Sequence, residues 1–160
     1  MCVLPIGVRQ MKGRMDSGFT LIELLTIIAI IGVLASLALS SYAIYKNSAT
    51  FAVIETALQD AQTSFEAGIV DPDNLPASFG LIAQTTAGEM TNPVASSLLP
   101  GFRLPRLTKF QVRFDGACAN PNDSMGFMQI NHCQGKKYLT WERFCDGVIV
   151  RLAVDGDGCP

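Results

Sequence analysis

The chain has 160 residues, of which 49% are hydrophobic and 16% are charged, and its formal net charge is −2 at pH 7. This length suits one modest globular domain, and the slightly acidic balance excludes a general attraction to nucleic acid and other polyanions. The sequence has no glycine-rich phosphate loop, no metal-ligand spacing and no nucleophile motif, and its single histidine leaves little scope for acid–base catalysis. We therefore expect a protein that is not an enzyme and needs no cofactor.

A long apolar segment begins near the amino terminus. Residues 19–39 contain one charge, Glu23, and a helix of this length crosses a hydrocarbon layer of about 30 Å. The flank before it is basic, with three cations and one acid: Arg9, Lys12, Arg14 and Asp16. Because basic flanks stay in the cytoplasm, we expect a single membrane pass with a cytoplasmic amino terminus and an exported body. A carboxylate within a membrane is costly unless it is paired, so Glu23 is a candidate functional residue.

An amphipathic pattern continues this segment. Apolar residues recur at helical spacings of three and four: Phe51, Ile54, Leu58, Ala61 and Phe65. Gly68 is the predicted stop signal. We predict one helix over about 19–67, whose first half needs a membrane or neighbouring helices around it and whose second half needs a globular domain.

Residues 68–101 are poor in charge and in regular pattern and contain four prolines. We predict a connecting loop here. A loop of this length is unusual in a compact domain unless it is covered, so its Leu81-Ile82 and Leu98-Leu99 pairs should pack onto the sheet or the helix.

The last third is typical of a β-sheet. The predicted strands are 109–114, 125–132, 138–144 and 148–154. Asp146-Gly147, placed between two apolar runs, is a strong hairpin signal. We expect an antiparallel meander of about four strands that packs on the amphipathic half of the helix, which makes the fold class α+β.

The junction between the basic flank and the apolar segment carries a specific pattern. Lys12-x-Arg14-x-x-x-Gly18 is followed directly by Phe-Thr-Leu-Ile-Glu-Leu-Leu. Over about residues 12–45 the chain resembles type IV pilins and the pseudopilins of type II secretion. The resemblance implies a lollipop-shaped subunit. It also implies that a prepilin peptidase cuts between Gly18 and Phe19 and methylates the new amino terminus of Phe19.

The resemblance further implies a structural subunit that polymerises through its amino-terminal helix. Its partners would be the peptidase, other copies of itself and related pilins, an inner-membrane assembly platform, and membrane lipid before assembly. The subunit would start in the inner membrane and end in a cell-surface pilus or a periplasmic pseudopilus. A pseudopilin of a type II secretion system, and a minor pilin for adhesion or DNA uptake, remain alternatives.

The resemblance also suggests a role for Glu23. While the leader is attached, the nitrogen of Phe19 is a neutral amide, whereas cleavage turns it into a cation. A buried carboxylate and a buried ammonium must pair or neutralise each other. We therefore expect Glu23 of one subunit to meet the Phe19 amine of another, which would make assembly depend on cleavage and would set the register.

Two other interpretations compete for this segment. The first is an ordinary signal peptide cut near Ala35 or Ala38, and the second is a plain transmembrane anchor. Neither accounts for Gly18, Phe19 and Glu23 together. The leader is long for the resemblance, so Met11 is an alternative start, which would leave the cleavage site unchanged.

The expected organisation has five parts: the leader 1–18, the membrane and assembly helix 19–40, its amphipathic continuation 41–67, the connecting loop 68–101 and the sheet domain 102–160. Many pilins carry a proline where this chain has Ser40, so we expect a continuous helix here. Removal of the leader would leave 142 residues, with nine basic and thirteen acidic side chains.

Four cysteines would remain after cleavage, since Cys2 lies in the leader. An even number in an exported domain predicts disulfides, and the absence of a C-x-x-C pair argues against zinc. Because adjacent strands of a meander run in opposite directions, we favour Cys118 with Cys145 and Cys133 with Cys159. The sequential pairing, Cys118 with Cys133 and Cys145 with Cys159, is the alternative.

Two charged features suggest weaker hypotheses. Asp155 and Asp157 alternate with glycines and are calcium candidates, although further acidic ligands are missing and a solvated turn is the simpler interpretation. A run of four cations has no acid within it. It could contact DNA phosphates or acidic surfaces on neighbouring subunits, or it could be a solvated edge, and we favour the edge: Arg103, Arg106, Lys109 and Arg113.

Overall fold

A computed structural model of the protein describes residues 18–70, 75–156 and 159. Helix α1, Leu21–Ile69, has 49 residues and runs unbroken through Ser40, which confirms the expected continuous helix. Gly68 was predicted to end the helix, but it lies inside the last turn. Its role is close packing, because a Cβ atom there would lie 2.1 Å from the carbonyl oxygen of Leu98. Most of the predicted leader, residues 1–17, and Asp157 lie outside the described residues.

A five-stranded antiparallel sheet follows the helix. Its members are β1 Phe79–Gln84, β4 Thr108–Phe114, β5 Ser124–His132, β6 Lys137–Phe144 and β7 Ile149–Asp155. They lie in the order β1-β4-β5-β6-β7, so the last four form the predicted meander. The hairpin at Asp146-Gly147 is confirmed, with Gly147 at φ +88° and its N–H donating to the carbonyl of Phe144 at 3.0 Å.

Strand β1 was not predicted, because the segment 68–101 was interpreted as a loop. It pairs with β4, from Phe79 opposite Phe114 to Gln84 opposite Phe110. The register shifts between Phe79 and Ile82, and this irregularity disrupts the period-two alternation by which a strand is recognised. The first strand of the sheet therefore carries no clean sequence signal.

The rest of the connecting segment holds three short elements: β2 Gly88–Glu89, α2 Pro93–Leu98 and β3 Arg103–Leu104. Strands β2 and β3 pair with each other. The side chain of Asn92 caps α2 by accepting from the N–H groups of Val94 and Ala95. Leu98 and Leu99 are buried as predicted, whereas Leu81 is exposed and Ile82 is half-buried.

The core lies between the second half of α1 and the inner face of the sheet. The helix contributes the predicted apolar face, with Phe51 only partly buried and Ala57 added. Phe65 is fully buried and makes edge-to-face contacts with Phe114 and Trp141, whose ring centroids lie 6.1 and 5.0 Å away. Gly126 makes room for this ring, since a Cβ atom there would lie 2.5 Å from Phe65 Cζ.

The chain divides into two compact units, with the boundary after Ser41. The first unit contains the amino-terminal part of α1. The second, from Tyr42 to the carboxy terminus, contains the rest of α1 and the sheet, and we call it the head.

Candidate processing and assembly segment

The first half of α1 is an exposed, largely apolar helix. Every described residue from 18 to 49 is exposed, including large apolar side chains such as Leu21 and Leu39, which are 82% and 72% accessible. Among the described residues this helix is long and apolar enough to cross a membrane, with a mean hydropathy of 2.5 in its most apolar window. An apolar surface of this extent requires a cover of lipid or protein.

Gly18 and Phe19 lie immediately before the helix, in non-helical backbone, and both are exposed. Among the described residues, no atom beyond the chain neighbours lies within 4 Å of the position that a Cβ atom on Gly18 would take. Gly18 and Phe19 therefore precede the first turn of α1, which carries Glu23.

Glu23 is held by Thr20 at this first turn. Its carboxylate oxygen Oε2 accepts from the backbone N–H of Thr20 at 3.0 Å and from the Thr20 hydroxyl at 2.8 Å. The Thr20 hydroxyl in turn accepts from the backbone N–H of Glu23 at 3.3 Å. This reciprocal arrangement is a capping box, which satisfies N–H groups that have no partner within the helix.

The capping box gives the Glu23 carboxylate hydrogen-bond partners but no opposite charge. Both partners of its carboxylate are neutral groups of Thr20, and the next described cation along the chain is Lys46. Glu23 is therefore hydrogen-bonded locally but has no counter-charge within the described part of this segment. The role of Thr20 was missed in the sequence, although Thr20-x-x-Glu23 is the standard signature of a capping box.

The four cysteines form two disulfides in the head. Cys118 is bonded to Cys145 with a Cα–Cα distance of 5.6 Å, and Cys133 is bonded to Cys159 with a distance of 4.3 Å. These are the two pairs that we favoured from the opposite directions of adjacent strands. One bond lies where β4 ends and β5 begins, and the other lies where β5 ends, so each end of the sheet carries one disulfide.

The calcium candidates receive little structural support. Asp155 lies 3.8 Å from Lys137 Nζ in an exposed ion pair, and Asp157 lies outside the described residues. Among the residues that the structure describes, no group of three or more His, Cys, Asp and Glu side chains is placed to hold a metal ion.

The predicted run of cations is partly paired with acids. Arg103 lies 4.0 Å from Glu89, and Arg113 lies 3.7 Å from Glu142 and sits over the ring of Phe127 at 5.9 Å. Arg103 lies on β3, Arg106 lies in the turn that follows it, and Lys109 and Arg113 lie on β4.

His132 occupies the end of β5 beside Cys133, as expected for a strand residue. It is 8% accessible, and its Nδ1 accepts from the backbone N–H of Gln134 at 3.1 Å. Burial, and secondarily the charge of Lys46, lowers the pKa of His132. A neutral imidazole is therefore part of the packed structure at this end of the sheet.

Residues 13–39 match the family model of the prokaryotic N-terminal methylation motif, the signature of type IV pilins and pseudopilins. The matched range contains Gly18, Phe19, the capping box and the exposed apolar half of α1. No curated protein and no solved structure matches the chain.

Proposed function

We propose that this chain is a structural subunit of a type IV pilus-like filament. A prepilin peptidase cuts it after Gly18 and methylates the amino group of Phe19, and the mature subunit polymerises through its amino-terminal helix. The proposal rests on one observation above all. The methylation motif covers residues 13–39, and its helical part leaves all of its apolar side chains exposed.

The exposed half of α1 supports two successive environments. Lipid covers the uncharged stretch from Leu24 to Leu39 at no electrostatic cost, and the same surface packs against identical helices after extraction from the membrane. The general proposal, that the chain is a membrane-anchored, pilin-like protein, requires only this surface and the motif. The specific proposal adds an order of events: the chain inserts into the membrane, is cleaved and then polymerises. In this order the amino terminus is cytoplasmic and the head is outside the cytoplasm.

The state of Glu23 supports the dependence of assembly on cleavage. Among the described residues, its carboxylate accepts only from the hydroxyl and the N–H of Thr20, and an ionised group with neutral partners is costly in hydrocarbon. Cleavage creates an ammonium on Phe19. A carboxylate of a neighbouring copy that reaches this ammonium removes two unpaired charges at once, which favours one stagger between subunits.

The first test is the identity of the mature amino terminus. Protein purified from membranes of cells that contain a prepilin peptidase should begin at N-methylated Phe19 and should have lost residues 1–18, as read by intact mass and amino-terminal sequencing. A chain that begins at Met1 or Met11 would indicate a plain anchor. A chain cut near Ala35 or Ala38 would indicate an ordinary signal peptide.

The second test isolates the charge of Glu23. Glu23→Gln keeps an oxygen acceptor, and glutamine also serves in capping boxes, so the first turn of α1 should persist while the charge is lost. We expect normal processing and a loss of sheared filaments, quantified against total cellular subunit. Thr26→Val is the matched control, because it removes a polar group from the same exposed segment without changing charge. Normal filaments from the Gln variant would contradict the assembly role.

The location of the filament separates the two main end uses. A surface pilus places the chain in the fraction that shearing releases from intact cells. A secretion pseudopilus leaves it in the cell envelope. We favour the pilus, and retention of all polymer in the envelope would overturn that choice while leaving the polymerisation proposal intact.

A further inference from the structure

The two ends of the sheet in the head carry opposite charge. At one end β4 and β6 stop and β5 and β7 begin, and we call it the acidic end. Its described charged residues are five acids and two arginines: Glu66, Asp115, Asp123, Glu142 and Asp146, with Arg113 and Arg143.

The opposite end, where β4 and β6 begin and β5 and β7 stop, we call the basic end. Its described charged residues are five cations and two acids: Lys46, Arg106, Lys109, Lys136 and Lys137, with Glu55 and Asp155. Lys46 belongs here because its charge acts on His132, and Glu55 because it lines one cavity with Lys136 and Lys137. The head is thus an electrostatic dipole along its strands.

Pairing within the head does not neutralise this dipole. At the acidic end the two arginines are occupied by Glu66 and Glu142, which leaves three aspartates without a salt-bridge partner among the described residues: Asp115, Asp123 and Asp146. Hydrogen bonds from the Ala117 N–H and the Ser78 hydroxyl lower the pKa of Asp115, so this carboxyl is ionised at neutral pH. At the basic end Lys137 is paired with Asp155, whereas Arg106 and Lys136 have no described salt bridge.

Both charged ends are built on fixed loops. At the acidic end the Cys118–Cys145 disulfide is reinforced by the Cys145 N–H, which donates to the Asp123 carbonyl at 2.9 Å. At the basic end the Cys133–Cys159 disulfide is reinforced by the Cys133 N–H, which donates to the Leu107 carbonyl at 2.7 Å. Charges held on preorganised loops bind a partner with little loss of conformational entropy.

We propose that the acidic end of one head docks against the basic end of another copy of this chain. The inference rests on the proposed function and names a contact that the head contributes to it. A contact between two different surfaces of the same molecule is heterologous, and such contacts propagate into open filaments. Opposite charges favour the head-to-tail arrangement, whereas two acidic or two basic ends repel each other, so the dipole selects polarity and register.

The test uses two full-length chains with one end reversed, expressed in cells that carry the assembly machinery. Arg106→Glu with Lys136→Glu makes both ends acidic, and Asp123→Lys with Asp146→Lys makes both ends basic. Each chain alone should yield filaments reduced about fivefold or more, because like charges now meet at every contact. Co-expression should restore the yield, since each end then finds an opposite partner on the other chain.

Three controls make the result decisive. Arg151→Glu makes the same kind of charge change on an exposed residue in the middle of β7 and should stay within about twofold of wild type. Asp123→Asn with Asp146→Asn keeps the turn acceptors for Asn120 and Val148 and should still lower the yield. Non-reducing gels establish that both disulfides form in every variant.

The outcomes separate the inference from the proposed function. Wild-type yields from both reversed chains, or intact disulfides without restoration on co-expression, would overturn head-to-tail docking alone. An absence of filaments from the wild-type chain would overturn the proposed function and the docking together.

Discussion

The two halves of α1 share one continuous backbone and have opposite surroundings. In the first half every described side chain is exposed, although the sequence is almost entirely apolar. In the second half six residues are buried, and Phe65 and Ala61 have no accessible surface. Hydrophobic content therefore does not predict burial in this helix, because the half richer in apolar residues is the half without a protein core.

The difference shows what each half needs. Tertiary packing stabilises the second half, since the helix face, the sheet and α2 bury each other's apolar groups. Within the described chain, the first half has only hydrogen bonds along its own helix, which include the cap at Thr20 and side-chain bonds such as that of Thr26 to the Glu23 carbonyl. It completes its structure by association, first with lipid and then with other copies under the function proposed here.

Truncation of a side chain should give the largest difference in stability between the two halves of α1. Phe65→Ala removes a fully buried ring and should lower the free energy of unfolding of the head by about 3–5 kcal/mol. Ile31→Ala removes apolar atoms from the exposed half and should change it by less than about 0.5 kcal/mol. Urea unfolding of the full chain in detergent, followed by the fluorescence of the single tryptophan, Trp141, measures both. Equal losses of unfolding free energy in the two variants would contradict the conclusion that only the second half of the helix is packed in a core.

Loss of either disulfide should give the next largest effect, confined to the head. The two bonds close segments of nearly equal length, with sequence separations of 27 and 26. Cys118→Ser with Cys145→Ser, and Cys133→Ser with Cys159→Ser, should therefore each cost about 3 kcal/mol. Peptide mapping under non-reducing conditions tests the pairing. The helicity of the exposed half in detergent should be unchanged in both variants.

Much of the head was predictable because its signals are local. Alternation along β4 to β6 and the Asp146-Gly147 turn indicate the meander, and the spacing from Ile54 to Phe65 identifies the buried helix face. Once the strand directions are known, the favoured cysteine pairs follow. At the processing segment, the pattern around Gly18, Phe19 and Glu23 is contiguous in sequence, so no knowledge of the fold is needed to find it.

The remaining features depend on contacts between distant parts of the chain. Strand β1 pairs with β4 through an irregular register, and only the folded sheet reveals it. Gly68 has the sequence properties of a helix stop, yet its function is set by the approach of Leu98 thirty residues later. The charged ends of the head likewise appear only after the sheet order brings loops together. The capping residue Thr20 is different, since its signal was present in the sequence.

The same substitution at two glycines of α1 should have opposite effects. Gly68→Ala places a Cβ atom 2.1 Å from a backbone oxygen and should destabilise the head by about 1–3 kcal/mol. Gly32→Ala meets nothing within 4 Å and should stabilise the exposed half by about 1 kcal/mol through helix propensity. Tryptophan fluorescence reports the first change, and amide hydrogen exchange around residue 32 reports the second. A destabilising Gly32→Ala would indicate that this half is packed in the isolated subunit.

The smallest effect concerns His132, which lies where the helix first becomes buried, near Thr50. Because the pKa of His132 is lowered in the folded head, the unfolded chain binds the proton more readily. Stability is therefore full above the unfolded pKa of about 6.5 and falls as the pH drops below it, by about 1 kcal/mol or less for this single titrating group. His132→Asn keeps an acceptor near the Nδ1 position for the Gln134 N–H and removes the titration. Urea midpoints between pH 7.5 and 5 should decline more in the wild type than in this variant. The exchange rates of the exposed half, corrected for pH, should not follow that decline, because His132 belongs to the packing of the head alone.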